Sequence, residues 1–178
     1  MSEAPRYVPH YTIDDYRMWE GHWELIDGLP IAMTPSPFGP HERIISRLSR
    51  AIGNQIEGCG CPCEVYTCLD WIISQDTIVR PDLMVICGEQ PKYHLERAPA
   101  LVVEVLSDST KGRDLVVKRA IYTENAVPHY LIIDPETKTI EHVAGGTSGF
   151  WTENSRFELD LGNNQNCRIT IECAKLFE

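Results

Sequence analysis

The chain is poor in positive charge: 16 lysines and arginines stand against 26 aspartates and glutamates, a formal net charge of −10 over 178 residues. A mean field of that sign repels nucleic acid and anionic membrane surfaces, which argues against a non-specific DNA-coating role. It leaves room for a local basic or metal-neutralised patch in a cleft, where a divalent ion is often the largest charge. Apolar runs near the ~20 residues of a membrane helix are missing, so no membrane partner is expected. Internal repeats, linkers and low-complexity segments are missing too, as are a basic arm and an appended DNA-reading module. Met1 to Arg6 lacks a charged-then-apolar leader, and a cytoplasmic protein is expected. The length fits a single domain, 1–178, able to bury a core without disulfides or a structural metal.

Seven cysteines are present, and with no leader they are expected to be mostly reduced thiols. Cys59, Cys61 and Cys63 alternate around Gly60 and Pro62, with Cys68 five residues on. Zinc sites use C-x₂₋₄-C pairs, and a C-x-C-x-C run with a proline does not converge readily on one tetrahedral ion. Incidental loop thiols are therefore expected ahead of zinc or an iron–sulfur centre, with a redox-labile surface or intermolecular disulfide in between.

Periodicity places the elements. Thr12, three residues ahead of Asp15, forms a loose capping box for a short helix up to Trp19. Trp23 to Asp27-Gly28 and Leu29 to Met33 read as a hairpin with a tight Asp-Gly turn. After the breaker Thr34 to Pro40, an apolar stripe at Ile44, Ile45, Leu48, Ile52 and Ile56 predicts an amphipathic helix over 41–57. Val65 to Ile73, Ile78 to Ile86 and Leu101 to Leu106 predict three successive strands, a meander. Thr110 to Asn125 is helical and leads into Tyr130 to Pro135, so the strands of Glu104 and Ile132 are expected to run parallel. Antiparallel strands follow from Thr137, with a final helical turn over Ala174 to Phe177. The class is α/β (α+β), a mixed central sheet flanked by helices.

One residue is costly where it stands. Glu104 interrupts the apolar run Leu101-Val102-Val103-Glu104-Val105-Leu106, and a lone carboxylate buried in a core costs several kcal/mol unless a cation, a metal or strong donors compensate it. Asp82 opens an earlier strand after Pro81. If the two strands pair antiparallel with a register centred near Tyr93, Asp82 and Glu104 become neighbours on one face. Two such carboxylates are either a mutually raised acid pair or an oxygen site for Mg²⁺ or Mn²⁺, to which the Val105 carbonyl would add. Lys118, four residues past Asp114 on the next helix, could present an ammonium beside water and a phosphate. Taken singly, each has a plainer reading: a turn residue for Asp82, an exposed helix pair for Asp114 and Lys118, a solvent-facing strand residue for Glu24, a helix start for His41. Tyr122 and Arg119 read as packing and solvated helix residues. Arg43, Arg47 and Arg50 read as a solvated face, and Ser107 to Thr110 as an N-cap segment.

Glu24-Leu25-Ile26-Asp27-Gly28, His41, Arg80-Pro81-Asp82, Val103-Glu104-Val105-Leu106-Ser107 and Asp114-x-x-x-Lys118 with Tyr122 together resemble the Uma-two family, bacterial proteins numerous in cyanobacteria and assigned to the PD-(D/E)XK nuclease superfamily. The resemblance covers roughly Tyr11 to Pro135 and rests on order and spacing, not on one motif. It implies a restriction-endonuclease-like fold and a Mg²⁺-dependent (or Mn²⁺-dependent) endonuclease acting on DNA as a homodimer. Asp82, Glu104 and the Val105 carbonyl would hold the metal, Lys118 would orient the attacking water, and Glu24 would add a further acid. The superfamily lysine stands two residues after the acid, where this chain has Leu106; the Uma-two pattern places it on the following helix, at Lys118. The alternative is a non-catalytic dimeric module, for nucleic acid or protein, that retains the nuclease fold.

Overall fold

A computed structural model describes residues 8–33, 39–107, 112, 114–162 and 167–178. It opens with the short helix α1 (Ile13–Tyr16), whose Asp15 carboxylate accepts from the Thr12 N–H at 2.8 Å and the Thr12 hydroxyl at 3.0 Å. Strands β1 (Trp23–Ile26) and β2 (Leu29–Ala32) form the expected hairpin. Asp27 and Gly28 both take positive φ, 50° and 73°, as a two-residue primed turn requires. A Cβ on Gly28 would lie 2.3 Å from the His10 ring, so glycine is needed there on two counts.

Helix α2 (Gly39–Cys59) buries the anticipated stripe, Ile44, Ile45, Leu48, Ile52 and Ile56. The expected three strands are in fact five: β3 (Cys63–Thr67), β4 (Trp71–Ile72), β5 (Ile78–Val79), β6 (Leu83–Cys87) and β7 (Leu101–Val105). Two of the predicted strands each break and change sheet. One break falls at Cys68, whose φ is 54°, and the other at Arg80-Pro81-Asp82. The meander survives as β3-β6-β7 in a six-stranded sheet ordered β10-β9-β8-β7-β6-β3, while β4 and β5 join the hairpin in a second sheet ordered β2-β1-β5-β4.

A π-helical turn at Asp114–Lys118 runs into α3 (Arg119–Glu124) and crosses to β8 (His129–Asp134), which pairs parallel with β7 as expected. β9 (Thr139–Ala144) and β10 (Thr147–Thr152) extend that sheet. A separate hairpin, β11 (Arg156–Asp160) with β12 (Arg168–Glu172), precedes the terminal helix α4 (Cys173–Phe177).

β7 is buried on both faces. Leu101, Val103 and Val105 face a core built with α2 and the β11–β12 hairpin. Val102 and Leu106 face Tyr122 of α3 and Trp71, Val79 and Ile26 of the second sheet. By alternation Glu104 belongs to the latter face, where the two sheets and α3 meet.

The cysteines depart from expectation. Four of the seven pair as disulfides: Cys63 with its cross-strand partner Cys87, and Cys61 with Cys167 across 106 residues. Cys59, Cys68 and Cys173 are free thiols. The cross-strand pair follows from register, since Cys63 and Cys87 stand directly opposite on β3 and β6.

Candidate functional site

Glu104 is compensated by a cation from the crossover. Lys118 Nζ lies 2.8 Å from Glu104 Oε1, and the Tyr122 hydroxyl donates to the same oxygen at 2.7 Å. The same ammonium stands 2.9 Å from Glu24 Oε1, which also accepts the Arg80 backbone N–H at 2.9 Å. The three charged side chains are almost wholly buried, with 2%, 3% and 0% of Lys118, Glu104 and Glu24 exposed. One ammonium therefore offsets two carboxylates, and hydrogen bonds from Tyr122 and Arg80 supplement it, the condition under which a buried ion group is tolerated.

The local chain explains the convergence. Lys118 and Tyr122 are four residues apart and rise on one side of the crossover. Lys118 closes the π-helical turn, a device that shifts a side chain around the helix axis and that recurs at functional sites. The Tyr122 ring stacks on Trp71 at 6.0 Å and meets Tyr130 edge-on at 4.9 Å, which fixes its hydroxyl. Burial first, and then the charges of Glu104 and Glu24, hold that hydroxyl well above its ordinary pKa, so it remains a donor.

Asp82 stands at the more open edge. The β6–β7 register pairs Leu83 with Val103 and Met84 with Val102, the expected alignment centred on residue 93. Its Oδ2 accepts the Val105 N–H at 2.8 Å, one residue beyond Glu104. His41 Nε2, from the first turn of α2, lies 3.3 Å from that same oxygen, and its Nδ1 lies 3.3 Å from Glu42 Oε1. The Asp82 and His41 side chains are 19% and 15% exposed. Burial lowers the His41 pKa, but the Asp82 and Glu42 carboxylates outweigh it and the net direction is upward. The free Cys68 thiol is pushed up by burial, then by the negative charge of Asp82, with Glu42 and Glu104 adding and Arg80 opposing.

Of the residues singled out in the sequence, Glu24, Glu104 and Lys118 are brought into direct contact. Asp82 reaches them through the Val105 backbone, and Val105 meets Asp82 by its N–H. Glu24 is not a solvent-facing strand residue, because β1 is covered by β5 and the Arg80 corner. Arg119 pairs with Glu141 of β9 and takes no part. The Asp114 side chain and Asp108, Ser109 and Thr110 lie outside the described residues. His41, read as a helix start, faces Asp82, and Tyr122, read as packing, also hydrogen-bonds Glu104. The i,i+4 step from Lys118 was the available signal for Tyr122. Nothing local pointed His41 at Asp82, since 41 residues of chain separate them.

Carboxylate and carbonyl oxygens are the hard donors that Mg²⁺ and Mn²⁺ take, and Mg²⁺ is commonly held by one or two carboxylates with water completing the shell. Among the described residues, no three His, Cys, Asp or Glu side chains already gather as an ion cage. The donor set fits an open site of this hydrated kind and not a closed structural one. Among the same residues no helix is long and apolar enough to cross a membrane.

Residues 13–166 match the family model described as "Uma2: Putative restriction endonuclease". Two uncharacterised proteins of Synechocystis sp. are similar: slr1290 at 27% identity over 80% of this chain and 78% of its own, and sll1609 at 33% over 67% and 70%. The crystal structure of "a putative nuclease belonging to DUF820" from Anabaena variabilis superposes with a TM-score of 0.77 at 16% identity, covering 93% of this chain and 97% of that one. The architecture is restriction-endonuclease-like, and the chain belongs to the Uma2 family.

Proposed function

We propose that the protein is a metal-dependent endonuclease that hydrolyses phosphodiester bonds in DNA. Asp82 and Glu104 would hold Mg²⁺ or Mn²⁺, with a backbone carbonyl at Val105. The observation that supports this most directly is Lys118 Nζ at 2.8 Å from Glu104 Oε1 and 2.9 Å from Glu24 Oε1, with Asp82 anchored one residue along β7. A structural ion pair alone does not require a second carboxylate on the adjoining, more open edge.

When bound, the ion would lower the pKa of a coordinated water and neutralise charge on the phosphate. Lys118 keeps Glu104 and Glu24 compensated in the absence of substrate, and its ammonium would orient the attacking water and favour charge developing on the phosphoryl oxygens. Tyr122 fixes which way Glu104 points. The Val105 N–H and His41 hold Asp82 at the part-exposed edge of the group, the side from which a phosphate would arrive. Against a net charge of −10, the bound ion would supply the attraction that the surface withholds.

Nicking of supercoiled plasmid or single-stranded DNA, with Mg²⁺ or Mn²⁺ against EDTA, tests the reading. Cleavage by the wild type that disappears in Asp82→Ala and Glu104→Gln is the expected result. Asp82 is part-exposed and the Gln variant preserves volume, so both variants should fold. Metal-independent cleavage, or none with any divalent ion and DNA form, would overturn it.

A further inference from the structure

Asp82 has a second neighbour that the acidic pair does not explain. Its Oδ2 is already fixed by the Val105 N–H at 2.8 Å, yet His41 Nε2 faces the same oxygen at 3.3 Å. The imidazole is held from behind, where Nδ1 lies 3.3 Å from Glu42 Oε1. A part-exposed imidazole with one nitrogen on a carboxylate and the other turned to a second acid is the arrangement of a metal-ligating histidine, whose far N–H is typically oriented by a carboxylate.

The spacing agrees. Donors at about 2.1 Å from an octahedral ion and at right angles to each other lie about 3 Å apart, near the observed separation of His41 Nε2 and Asp82 Oδ2. We propose that His41 Nε2 is a ligand of the divalent ion that Asp82 holds, oriented by Glu42, and that the site therefore prefers a first-row transition ion such as Mn²⁺ to Mg²⁺. The proposal rests on the metal reading above and deepens it. Imidazole nitrogen is a good donor to first-row transition ions, whereas Mg²⁺ keeps to oxygen and to its own waters. An all-oxygen site would show little such preference.

Mn²⁺ titration followed by electron paramagnetic resonance, with Mg²⁺ as competitor, tests this without any cleavage assay. The wild type should bind Mn²⁺, need Mg²⁺ in large excess to displace it, and show ¹⁴N coupling to the bound ion. His41→Ala should lose that coupling and weaken Mn²⁺ on the order of tenfold or more, the scale on which even outer-shell partners of a metal matter. His41→Asp, which restores an oxygen donor, should recover binding but lower the Mn²⁺ to Mg²⁺ preference. Glu42→Gln should weaken Mn²⁺ binding by a smaller factor. Retained ¹⁴N coupling and unchanged affinity in folded His41→Ala would overturn the role of His41; if Asp82→Ala still abolished binding, the metal reading would stand without it. A wild type that binds neither ion overturns both.

Discussion

Lys118 is shared by two buried carboxylates, and that determines what its removal does. Lys118→Met keeps the length of the side chain but leaves Glu24 and Glu104 facing each other without their cation. Breaking a buried pair from one side costs about 3–5 kcal/mol, so urea denaturation should show a loss of that size. Adding Glu24→Gln to that variant should recover part of it, because one uncompensated charge is then removed. Tyr122→Phe removes only a donor, and its cost should be about 1.5–3 kcal/mol, the range for a hydrogen bond to a charged group. If Lys118→Met unfolds at the wild-type urea midpoint, the ammonium is not compensating these acids. The anomaly of Glu104 was legible from sequence, since a charge inside an apolar strand demands a partner. The identity of that partner was legible only as a candidate, because the direct contact depends on a π-helical turn that sequence periodicity does not report.

At the scale of elements, β8, β9 and the β11–β12 hairpin are tied by two histidines. His129 and His142 share a contact of 2.9 Å between Nδ1 and Nε2, and His129 Nε2 lies 2.8 Å from the Asp160 carbonyl. A carbonyl only accepts, so His129 donates its Nε2–H to Asp160. Burial, and then the charge of His129, lower the His142 pKa from 6.5 to about 4. Between those values the unfolded chain binds a proton that the native one refuses. Stability should therefore be full above about pH 6.5 and fall as pH drops towards 4, with Trp151, packed on His142 and Phe157, reporting the change in fluorescence. His142→Phe should flatten that part of a thermal-melt pH series; an unaltered slope would exclude the pair as its source. The same scale shows why two strands were read as continuous. Val65 to Ile73 and Ile78 to Ile86 keep an apolar pattern through their corners because both halves are buried, though in different sheets. Pro81 offered a break signal, but Cys68 enters the left-handed region without being glycine, so nothing marked the other.

At the scale of the whole molecule, two disulfides span the core that α2 covers. The Cys61–Cys167 bond joins residues 106 apart, a separation for which the loop-entropy estimate is about 5 kcal/mol. Reduction should lower the melting temperature, and thiol counting on the oxidised protein should find Cys59 and Cys68 reactive when native and Cys173 only after unfolding. Seven reactive thiols in the unfolded, unreduced chain would contradict the pairing. The expectation of mostly reduced thiols rested on the missing leader, which carries no information on which cysteines the fold brings together, and spacing alone does not give connectivity between residues as distant as Cys61 and Cys167.

The Glu24–Lys118–Glu104 contact joins the first hairpin to β7 and the crossover, and Glu24 reaches the other two only when the two sheets have docked. Contacts between residues so far apart in sequence form late, because chain must be closed before they reward it. Under the proposed function, a ribosome-bound or half-folded chain would hold Glu24 apart from Glu104 and Lys118. The cutting centre would come into being only with the completed fold, and a cell making the protein would not meet an active nuclease before it met a folded one.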